Sequence, residues 1–336
     1  MKNILVTGGA GYIGSVVCKD LIDIGYKVTC LDNFLFGDES IKDLIGNKNF
    51  ELIKADINSK NDIDLILSSN KFFGLIHLAA IVGDPACKLY KELAIKTNWD
   101  ASRYIYDCSK KNQVEKFIFA STCSNYGKMD KETNMLDENG VLAPVSLYAE
   151  LKVKFEKYIL EDNNKNENFV PTLLRFATVY GLSPRMRFDL TINQFSKELA
   201  LEKELLVYGE NFWRPYCHVS DFSRAFITIL KAKKELVNYE VFNVGDTSEN
   251  YTKKMIINEI CKILPKSKIK YVSQPDDPRD YKVNSDKINK VLGFKVSKKV
   301  PEGIDEIIQS IKKNSYEDLN SQFHYNIPVE NFKWIK

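Results

Sequence analysis

The chain has 336 residues, enough for about two domains and a substantial hydrophobic core. Hydrophobic residues make up 44% and charged residues 28%, which is typical of folded globular proteins and excludes disordered and fibrous classes. The 48 basic and 45 acidic residues leave a net charge of +3. This charge is too small for the field that binding to a nucleic-acid backbone requires, so nucleic acid is not an expected partner.

The cysteine pattern and the apolar stretches indicate the compartment. Seven cysteines are scattered without a CxxC pair or a Cys/His cluster, which predicts reduced thiols and no metal site. No stretch approaches the roughly 18 apolar residues of a membrane span, and the apolar run at the start is too short for a signal peptide. We therefore expect a cytoplasmic protein with no membrane partner.

Short apolar runs of strand length alternate with helical patterns through the first half of the chain. Strands are predicted at 4–7, 28–32, 50–56, 74–79, 117–122 and 172–176. Amphipathic helices are predicted between them, for example at 13–24 and 146–160. This alternation predicts an α/β fold with a doubly wound parallel sheet.

Beyond about residue 181 the alternation loosens. Proline-containing loops are followed by a short strand at 241–244, an amphipathic stretch at 253–264 and a polar tail. The chain is therefore divided into a larger domain at 1–180 and a smaller one at 181–336, with some segments expected to interleave.

A glycine-rich segment, TGGAGYIG at 7–14, directly follows the first predicted strand and opens the first predicted helix. Gly8 permits a tight turn, Gly11 lets the backbone approach a pyrophosphate, and Gly14 lets the helix pack closely on the strand. The second strand ends at Asp32, whose carboxylate would accept hydrogen bonds from an adenosine ribose and repel a 2′-phosphate. Because residues 33–36 contain no Arg or Lys, the segment favours NAD over NADP.

Asp56 and Ile57, after the third strand, are placed to contact the adenine. An aspartate that closes a strand is also a common turn former, so Asp56 has a plain structural alternative. A glycine turn in an unrelated α/β protein is the alternative for the whole segment. It is disfavoured because the strand, the helix and the acidic residue are all in register.

Two tyrosines are each followed by a lysine four residues later, at Tyr106–Lys110 and Tyr148–Lys152. This spacing places both side chains on one helix face, but in a chain with 41 lysines it also arises by chance. Tyr148 follows a strand that ends at Thr122, where the carboxyl end of a strand meets the ligand crevice. We therefore assign chemistry to the second pair and an exposed helix surface to the first.

Thr122, Tyr148 and Lys152 together would move a proton at a sugar hydroxyl while a hydride goes to a nicotinamide. A phenol of pKa about 10 is a poor base at neutral pH. One cation at about 4 Å is worth roughly 4 kcal/mol at an effective dielectric of 20, or about three pK units before desolvation opposes it. Lys152 and an oxidised nicotinamide would supply such charges, while Thr122 would hold the reacting hydroxyl. The alternative interpretation is that these three residues are unrelated and share no catalytic role.

These motifs resemble those of the extended short-chain dehydrogenase/reductases, specifically the nucleotide-sugar epimerase and dehydratase family, over about 300 residues. The resemblance includes TGGAGYIG at 7–14, HLAA at 77–80, STCSNYG at 121–127, YAELK at 148–152, LRFATVYG at 174–181, WRPYCHV at 213–219, FNVG at 242–245 and DPRDY at 277–281. It implies a Rossmann NAD-binding domain, a smaller C-terminal α/β domain that binds a nucleotide-diphosphate sugar, and Tyr148 as the catalytic acid/base.

The resemblance also implies two sets of binding residues. Those for NAD would be Gly8, Gly11, Tyr12, Ile13, Asp32, Asn33, Asp56, Ile57, Leu78, Ala79, Ala80, Asn98, Lys152 and Phe176. Those for the substrate would be Thr122, Tyr148, Thr178, Arg187, Asn193, Arg214 and Arg279. Arg214 and Arg279 match positions that hold the substrate's diphosphate in the family. Arg185 and Arg187 would add to that site, and the alternative for either of them is a solvated charge on a loop. A homodimer through helices near 99–112 and 146–160 is implied as well.

Departures from the family pattern narrow the reaction. Cys123 and Ser124 follow Thr122 where 4,6-dehydratases carry Asp-Glu, so loss of water is not supported. The reductase and 3,5-epimerase branch has a cysteine at the position of Ser124, and we expect Cys123 to be a packed thiol. Thr178 stands where 4-epimerases often have Asn, which leaves the sugar open.

The resulting hypothesis is NAD-dependent oxidation at C4 of a nucleotide-diphosphate sugar, by a 4-epimerase or a 4-dehydrogenase of surface-polysaccharide sugar biosynthesis. The segments 79–87 and 183–190 are similar to those of capsule-pathway enzymes, including a GDP-heptose 4-dehydrogenase. A 4-ketoreductase and a non-catalytic NAD sensor of the same fold are the alternatives, because fold alone does not establish chemistry.

Overall fold

The computed structural model describes residues 1–129, 134–273, 279–316 and 318–326, so parts of the second predicted domain lie outside the described residues. The strands are β1 (Asn3–Thr7), β2 (Lys27–Asp32), β3 (Phe50–Lys54), β4 (Gly74–His77), β5 (Lys116–Thr122), β6 (Val170–Phe176), β7 (Thr178–Tyr180), β8 (Leu205–Tyr208), β9 (Trp213–His218), β10 (Glu240–Val244), β11 (Asn250–Thr252) and β12 (Ile269–Val272). The α-helices are α1 (Tyr12–Asp23), α2 (Lys60–Ser69), α3 (Asp84–Leu89), α4 (Lys91–Ile95), α5 (Ser102–Lys111), α6 (Leu147–Leu160), α7 (Thr191–Ala200), α8 (Val219–Lys231), α9 (Lys253–Ile263), α10 (Asp286–Leu292) and α11 (Val300–Lys312).

Seven parallel strands form the main sheet, in the order β3-β2-β1-β4-β5-β6-β10. The chain runs outward from β1 through β2 and β3, then crosses to β4 and continues in the other direction. The order therefore reverses between β1 and β4, and in doubly wound sheets ligands bind at the carboxyl ends of the strands beside such a point. The predicted α/β fold with a doubly wound parallel sheet is confirmed.

Both faces of this sheet are buried, which explains why its strands are apolar along their whole length. In β1, Ile4 and Val6 belong to a core cluster that includes Val17 of α1, whereas Leu5 belongs to a cluster on the opposite face that includes Ile105 of α5. Helices therefore cover the sheet on both sides, and only its edges and strand ends are left to bind ligands.

The second half of the chain contributes to both parts of the molecule. Strand β10 was expected in the smaller domain, but it pairs with β6 at the edge of the main sheet, with Phe242 beside Leu174. Two small sheets, β7-β9-β11 and β8-β12, are formed by strands that follow β6 in the chain. The sequence predicts that some segments interleave between the two parts, but it does not show which ones, because a pairing between distant segments cannot be read from local composition.

The prediction for Tyr106 was wrong. Its side chain is only 1% exposed and packs edge-on against Phe117 and Phe169. The Tyr106 hydroxyl donates to Asp162, and Lys110 Nζ donates to the same carboxylate at 2.7 Å. The helical spacing placed Tyr106 and Lys110 on one face correctly, but that face is covered by the loop after α6.

No helix in the described ranges combines the length and the apolar character needed to cross a membrane.

Candidate active site

A cavity of about 640 Å³ lies at the carboxyl ends of the main sheet and is also lined by residues from later in the chain, such as Arg214 and Arg279. The predicted cofactor residues on its wall are Gly8, Gly11, Tyr12, Ile13, Asp32, Asn33, Asp56, Ile57, Leu78, Ala79, Ala80, Lys152 and Phe176. The predicted substrate residues on its wall are Thr122, Tyr148, Thr178, Arg187, Arg214 and Arg279. The structure thus brings together nearly all of the side chains predicted from the sequence.

The glycine-rich turn is packed so closely that side chains are excluded. Gly8 has a φ of +73°, and a Cβ there would lie 2.8 Å from the backbone nitrogen of Ala79. A Cβ on Gly14 would overlap the carbonyl oxygen of Gly8 and lie 2.6 Å from Gly9 Cα. The first turn of α1 therefore packs directly on the glycine turn after β1. Residues 11–14 line the cavity, and the backbone N–H groups at the start of a helix suit an anion.

Gly14→Ala tests this packing. We expect it to weaken dinucleotide binding by at least about tenfold and to destabilise the fold by roughly 1–3 kcal/mol, because the turn must move to accept the methyl group. Gly245→Ala is the matched control, since its Cβ would come no closer than 3.4 Å to Ser285 Oγ. Titration with NAD and urea unfolding provide the two measurements. Wild-type affinity in Gly14→Ala would show that close packing at this turn is not needed for binding.

The carboxylate of Asp32 is fixed at the end of β2. Its two oxygens accept the backbone N–H groups of Ala10 at 3.0 Å and Phe34 at 2.8 Å. Burial raises the pKa of Asp32, although these hydrogen bonds oppose the shift. The carboxylate keeps lone pairs toward the cavity, where ribose hydroxyls can donate to it.

Two predicted binding residues lie off the cavity wall. Asn98 is buried, and its amide exchanges two hydrogen bonds with the backbone of Ile81, at 2.8 and 2.9 Å. Asn193 is also buried, and its side chain bonds Gly181, Arg187 and Tyr12. Both amides hold loops that carry cavity residues, so their positions suit support of the site rather than direct contact with a ligand.

Tyr148 and Lys152 of α6 line the same cavity as Thr122. Ser146 caps this helix by accepting the backbone N–H of Ala149, which sets the position of Tyr148 in the first turn. Lys152 Nζ donates to the Ala120 carbonyl at 2.8 Å and lies 5.7 Å from the centre of the Tyr148 ring. Burial lowers the pKa of Lys152 to about 8.

The Tyr148 hydroxyl differs from the expectation in one respect. Burial raises its pKa above the ordinary value, with further contributions from Cys87 and Asp84, and the cation that opposes this shift is Arg187. Lys152 therefore does not by itself produce a phenolate in this structure. A further positive charge in the cavity would oppose this shift and favour the phenolate.

A buried ionic network behind Thr122 was missed by the sequence analysis. Glu156 accepts hydrogen bonds from the neighbouring Ser121 at 2.5 Å and from Asn125 at 2.9 Å. Arg175 of β6 binds both oxygens of the same carboxylate. Glu156 stands four residues after Lys152 and therefore lies on the same face of α6. A charged residue on that face was the sequence feature that could have predicted this buried ion pair.

The arginines on the substrate side are engaged in several contacts. Arg187 forms a two-point ion pair with Asp189, at 3.0 and 2.7 Å. Arg214 Nη1 donates to its neighbour's carbonyl at 2.6 Å, and Arg279 Nη1 donates to Asp84 at 2.7 Å. Asp277 and Pro278, which share the predicted motif with Arg279, lie outside the described residues. Asp84 is a wall residue that the sequence analysis did not select.

Cys123 is packed as expected. Its side chain is buried with Tyr126, Tyr281 and Val283, and its thiol donates to the Arg175 carbonyl. Burial raises the pKa of the Cys123 thiol. Ser124 lines the cavity instead, so no carboxylate follows Thr122 at this part of the wall.

Comparison with known proteins identifies the family. The model of the NAD dependent epimerase/dehydratase family matches residues 4–245. The chain belongs to this family. It is similar to a UDP-N-acetyl-alpha-D-glucosaminuronate decarboxylase from Bacillus cytotoxicus, with 32% identity over 74% of this chain and 76% of the relative. The extended short-chain dehydrogenase/reductase assignment is confirmed, and the protein is an NAD-dependent enzyme.

Solved structures of family members superpose over nearly the whole chain. UDP-glucose 4-epimerase from Thermotoga maritima with UDP-glucose has a TM-score of 0.82 and 27% identity, covering 94% of this chain and 100% of that one. UDP-glucuronic acid 4-epimerase from Bacillus cereus with UDP-glucuronic acid and NAD has a TM-score of 0.81 and 27% identity, covering 93% and 99%. The closely packed glycine turn and the fixed carboxylate of Asp32 fit NAD, which is the cofactor of this family.

Proposed function

We propose that this protein oxidises C4 of a nucleotide-diphosphate sugar and acts as a 4-epimerase or a 4-dehydrogenase. The observation that carries the proposal is that Thr122, Tyr148 and Lys152 share one cavity with the glycine turn and Asp32. A cofactor site and a proton-transfer site on one continuous wall are what coupled hydride and proton transfer requires. The two 4-epimerases that superpose on the chain support the same reaction class.

Each residue has a defined task in this proposal. The glycine turn, Asp32 and Lys152 would hold NAD, which would supply the hydride acceptor for C4 and a positive charge in the cavity. Tyr148 takes the proton of the C4 hydroxyl and returns it when the ketone is reduced. Thr122 Oγ1 already accepts the Ser124 N–H at 3.1 Å, which leaves its own proton to hold the substrate oxygen. Lys152 positions the nicotinamide ribose, and its ammonium favours the phenolate of Tyr148.

Arg214 and Arg279 bind the substrate's diphosphate in this proposal. Both line the cavity, and guanidinium groups suit two-point recognition of phosphate oxygens. An incoming diphosphate competes with Asp84 for Arg279.

The wall beside Thr122 presents the hydroxyl of Ser124 rather than a carboxylic acid, which argues against a 4,6-dehydratase.

A panel of UDP-, GDP-, CDP- and dTDP-sugars tests the function. Nicotinamide absorbance and product sugars are measured in the same incubation. A 4-epimer without net NADH identifies an epimerase, whereas a 4-keto sugar with one equivalent of NADH identifies a dehydrogenase. Reduction of a 4-keto nucleotide sugar that requires added NADH identifies a ketoreductase. If no sugar in the panel gives product or nicotinamide reduction, the proposal fails and the sensor alternative is favoured.

The products of such an enzyme would serve as precursors of surface polysaccharides.

The proposal includes a homodimer formed through α5 and α6, where Arg103 lies 5.2 Å from the Trp99 ring and 5.6 Å from the Tyr158 ring. Aromatic and arginine side chains of this kind are enriched at protein interfaces. Analytical ultracentrifugation at several protein concentrations measures the state, and a monomer at all of them would contradict the dimer.

A further inference from the structure

Three arginines are buried in the described part of the chain, and one differs from the others. Arg175 and Arg187, which are 4% and 8% exposed, each bind both oxygens of a carboxylate. Arg185 is 6% exposed, and no carboxylate in the described residues lies within ion-pair distance of it. A buried charge without a partner is strongly unfavourable, so such a residue requires an explanation.

The guanidinium of Arg185 is poorly satisfied among the described residues. Its Nη2 donates to the Tyr325 carbonyl at 3.3 Å, and its buried Nε has no hydrogen-bond partner there. Burial, with repulsion from Arg187, lowers the pKa of Arg185 to about 9. The group therefore retains strong donors that no carboxylate of the described residues binds directly, and it lines the same cavity as the glycine turn.

The surroundings of Arg185 belong to the cofactor side of the cavity. Its guanidinium lies 3.8 Å from the centre of the Phe36 ring, in the loop after β2. Asp32, at the end of β2, interacts with it electrostatically at longer range. Two residues earlier, Ser183 donates to the Tyr12 carbonyl at 2.6 Å and contacts Ser15 Oγ at 3.2 Å, which fastens the segment to the first turn of α1.

We propose that Arg185 binds the diphosphate of the dinucleotide cofactor, together with the backbone N–H groups at the start of α1. The Phe36 ring contacts the flat face of the guanidinium. The N–H groups lie in the plane of the guanidinium and remain able to donate hydrogen bonds. Diphosphate oxygens accept such paired donors and carry negative charge at neutral pH. Arg185 is thus a cofactor-binding residue outside the glycine-rich motif, contributed by the segment after β7.

The substrate also contains a diphosphate, and NADP carries an additional 2′-phosphate, so the experiment must separate three sources of phosphate. The purified full chain is titrated by calorimetry with NAD, ADP-ribose, NADP, adenosine, UDP and GDP. The variants are Arg185→Met, which keeps a long side chain and removes the charge, and Arg185→Lys, which keeps the charge and lacks the paired N–H donors of a guanidinium. Arg224→Met is the control, because Arg224 is partly exposed on α8 and pairs with Asp221 away from the cavity.

We expect Arg185→Met to raise the Kd of NAD, ADP-ribose and NADP alike, by about 10–100-fold, as loss of a charge-assisted hydrogen-bonded contact predicts. Adenosine, UDP and GDP affinities should stay within about twofold of wild type, Arg185→Lys should recover part of the loss, and Arg224→Met should match wild type. If NAD copurifies, Arg185→Met should also retain less of it through gel filtration.

The melting temperature without ligand separates a binding role from a structural one. Because Arg185→Met removes a buried charge that lacks a carboxylate partner, the ligand-free variant should melt at the wild-type temperature or above it. Unchanged NAD affinity would overturn the proposal. A loss confined to NADP would reassign Arg185 to a 2′-phosphate, and a loss confined to UDP or GDP would reassign it to the substrate. A lower melting temperature with equally weakened adenosine would show a structural role.

Discussion

Tyr148→Phe will lower kcat with the cognate nucleotide sugar by about 10²–10⁴-fold, the range that general acid–base catalysis contributes. The variant removes the hydroxyl assigned to exchange a proton with the C4 oxygen and leaves the half-buried ring in place. Because the glycine turn and Asp32 are untouched, NAD affinity should stay within about twofold of wild type. The decisive measurement is single-turnover reduction of the nicotinamide alongside an NAD titration.

Tyr106→Phe is the matched control for this experiment. It also removes one buried tyrosine hydroxyl four residues before a lysine, but that hydroxyl donates to Asp162 and does not line the cavity. We expect a loss of about 0.5–1.5 kcal/mol in stability and near-normal kcat. Near-normal turnover in Tyr148→Phe, or an equal loss of turnover in Tyr106→Phe, would show that Tyr148 is not the acid/base.

The second large effect concerns the ionic network behind Thr122. Glu156→Leu will lower the free energy of unfolding by about 3–5 kcal/mol, because it leaves the Arg175 guanidinium buried without its carboxylate and removes the acceptor of Ser121 and Asn125. Denaturant unfolding with unchanged m-value measures this loss. Glu156→Gln, which keeps an oxygen acceptor and the side-chain shape, should lose less.

A double variant distinguishes an unpaired charge from a simple packing defect. In Glu156→Leu/Arg175→Met the buried charge is gone, so much of the loss should be recovered, as when apolar groups replace buried ion pairs. Asp23→Asn is the surface control, since it breaks the exposed Lys19–Asp23 pair and should cost under about 1 kcal/mol. If the double variant is less stable than Glu156→Leu alone, the charge is not the cause.

The sequence alone determined the parts of the site that depend on local backbone geometry. Gly8, Gly14 and Asp32 were identified because a strand, a tight turn and a helix follow one another at fixed spacing. Tyr148 and Lys152 were identified because four residues along a helix return to the same face and because this pair follows the strand that ends at Thr122. Such relations are set by a few consecutive dihedral angles, so they survive any arrangement of the rest of the chain.

Only the tertiary structure decided which distant segments meet. It moved β10 into the main sheet, buried Tyr106 under the loop after α6, and used the amides of Asn98 and Asn193 to hold loops. It also gave Arg175 and Arg187 carboxylate partners while leaving Arg185 beside Phe36 without one in the described residues. These outcomes depend on the total energy of many weak contacts between segments far apart in the chain. Residue type and local spacing do not predict that total.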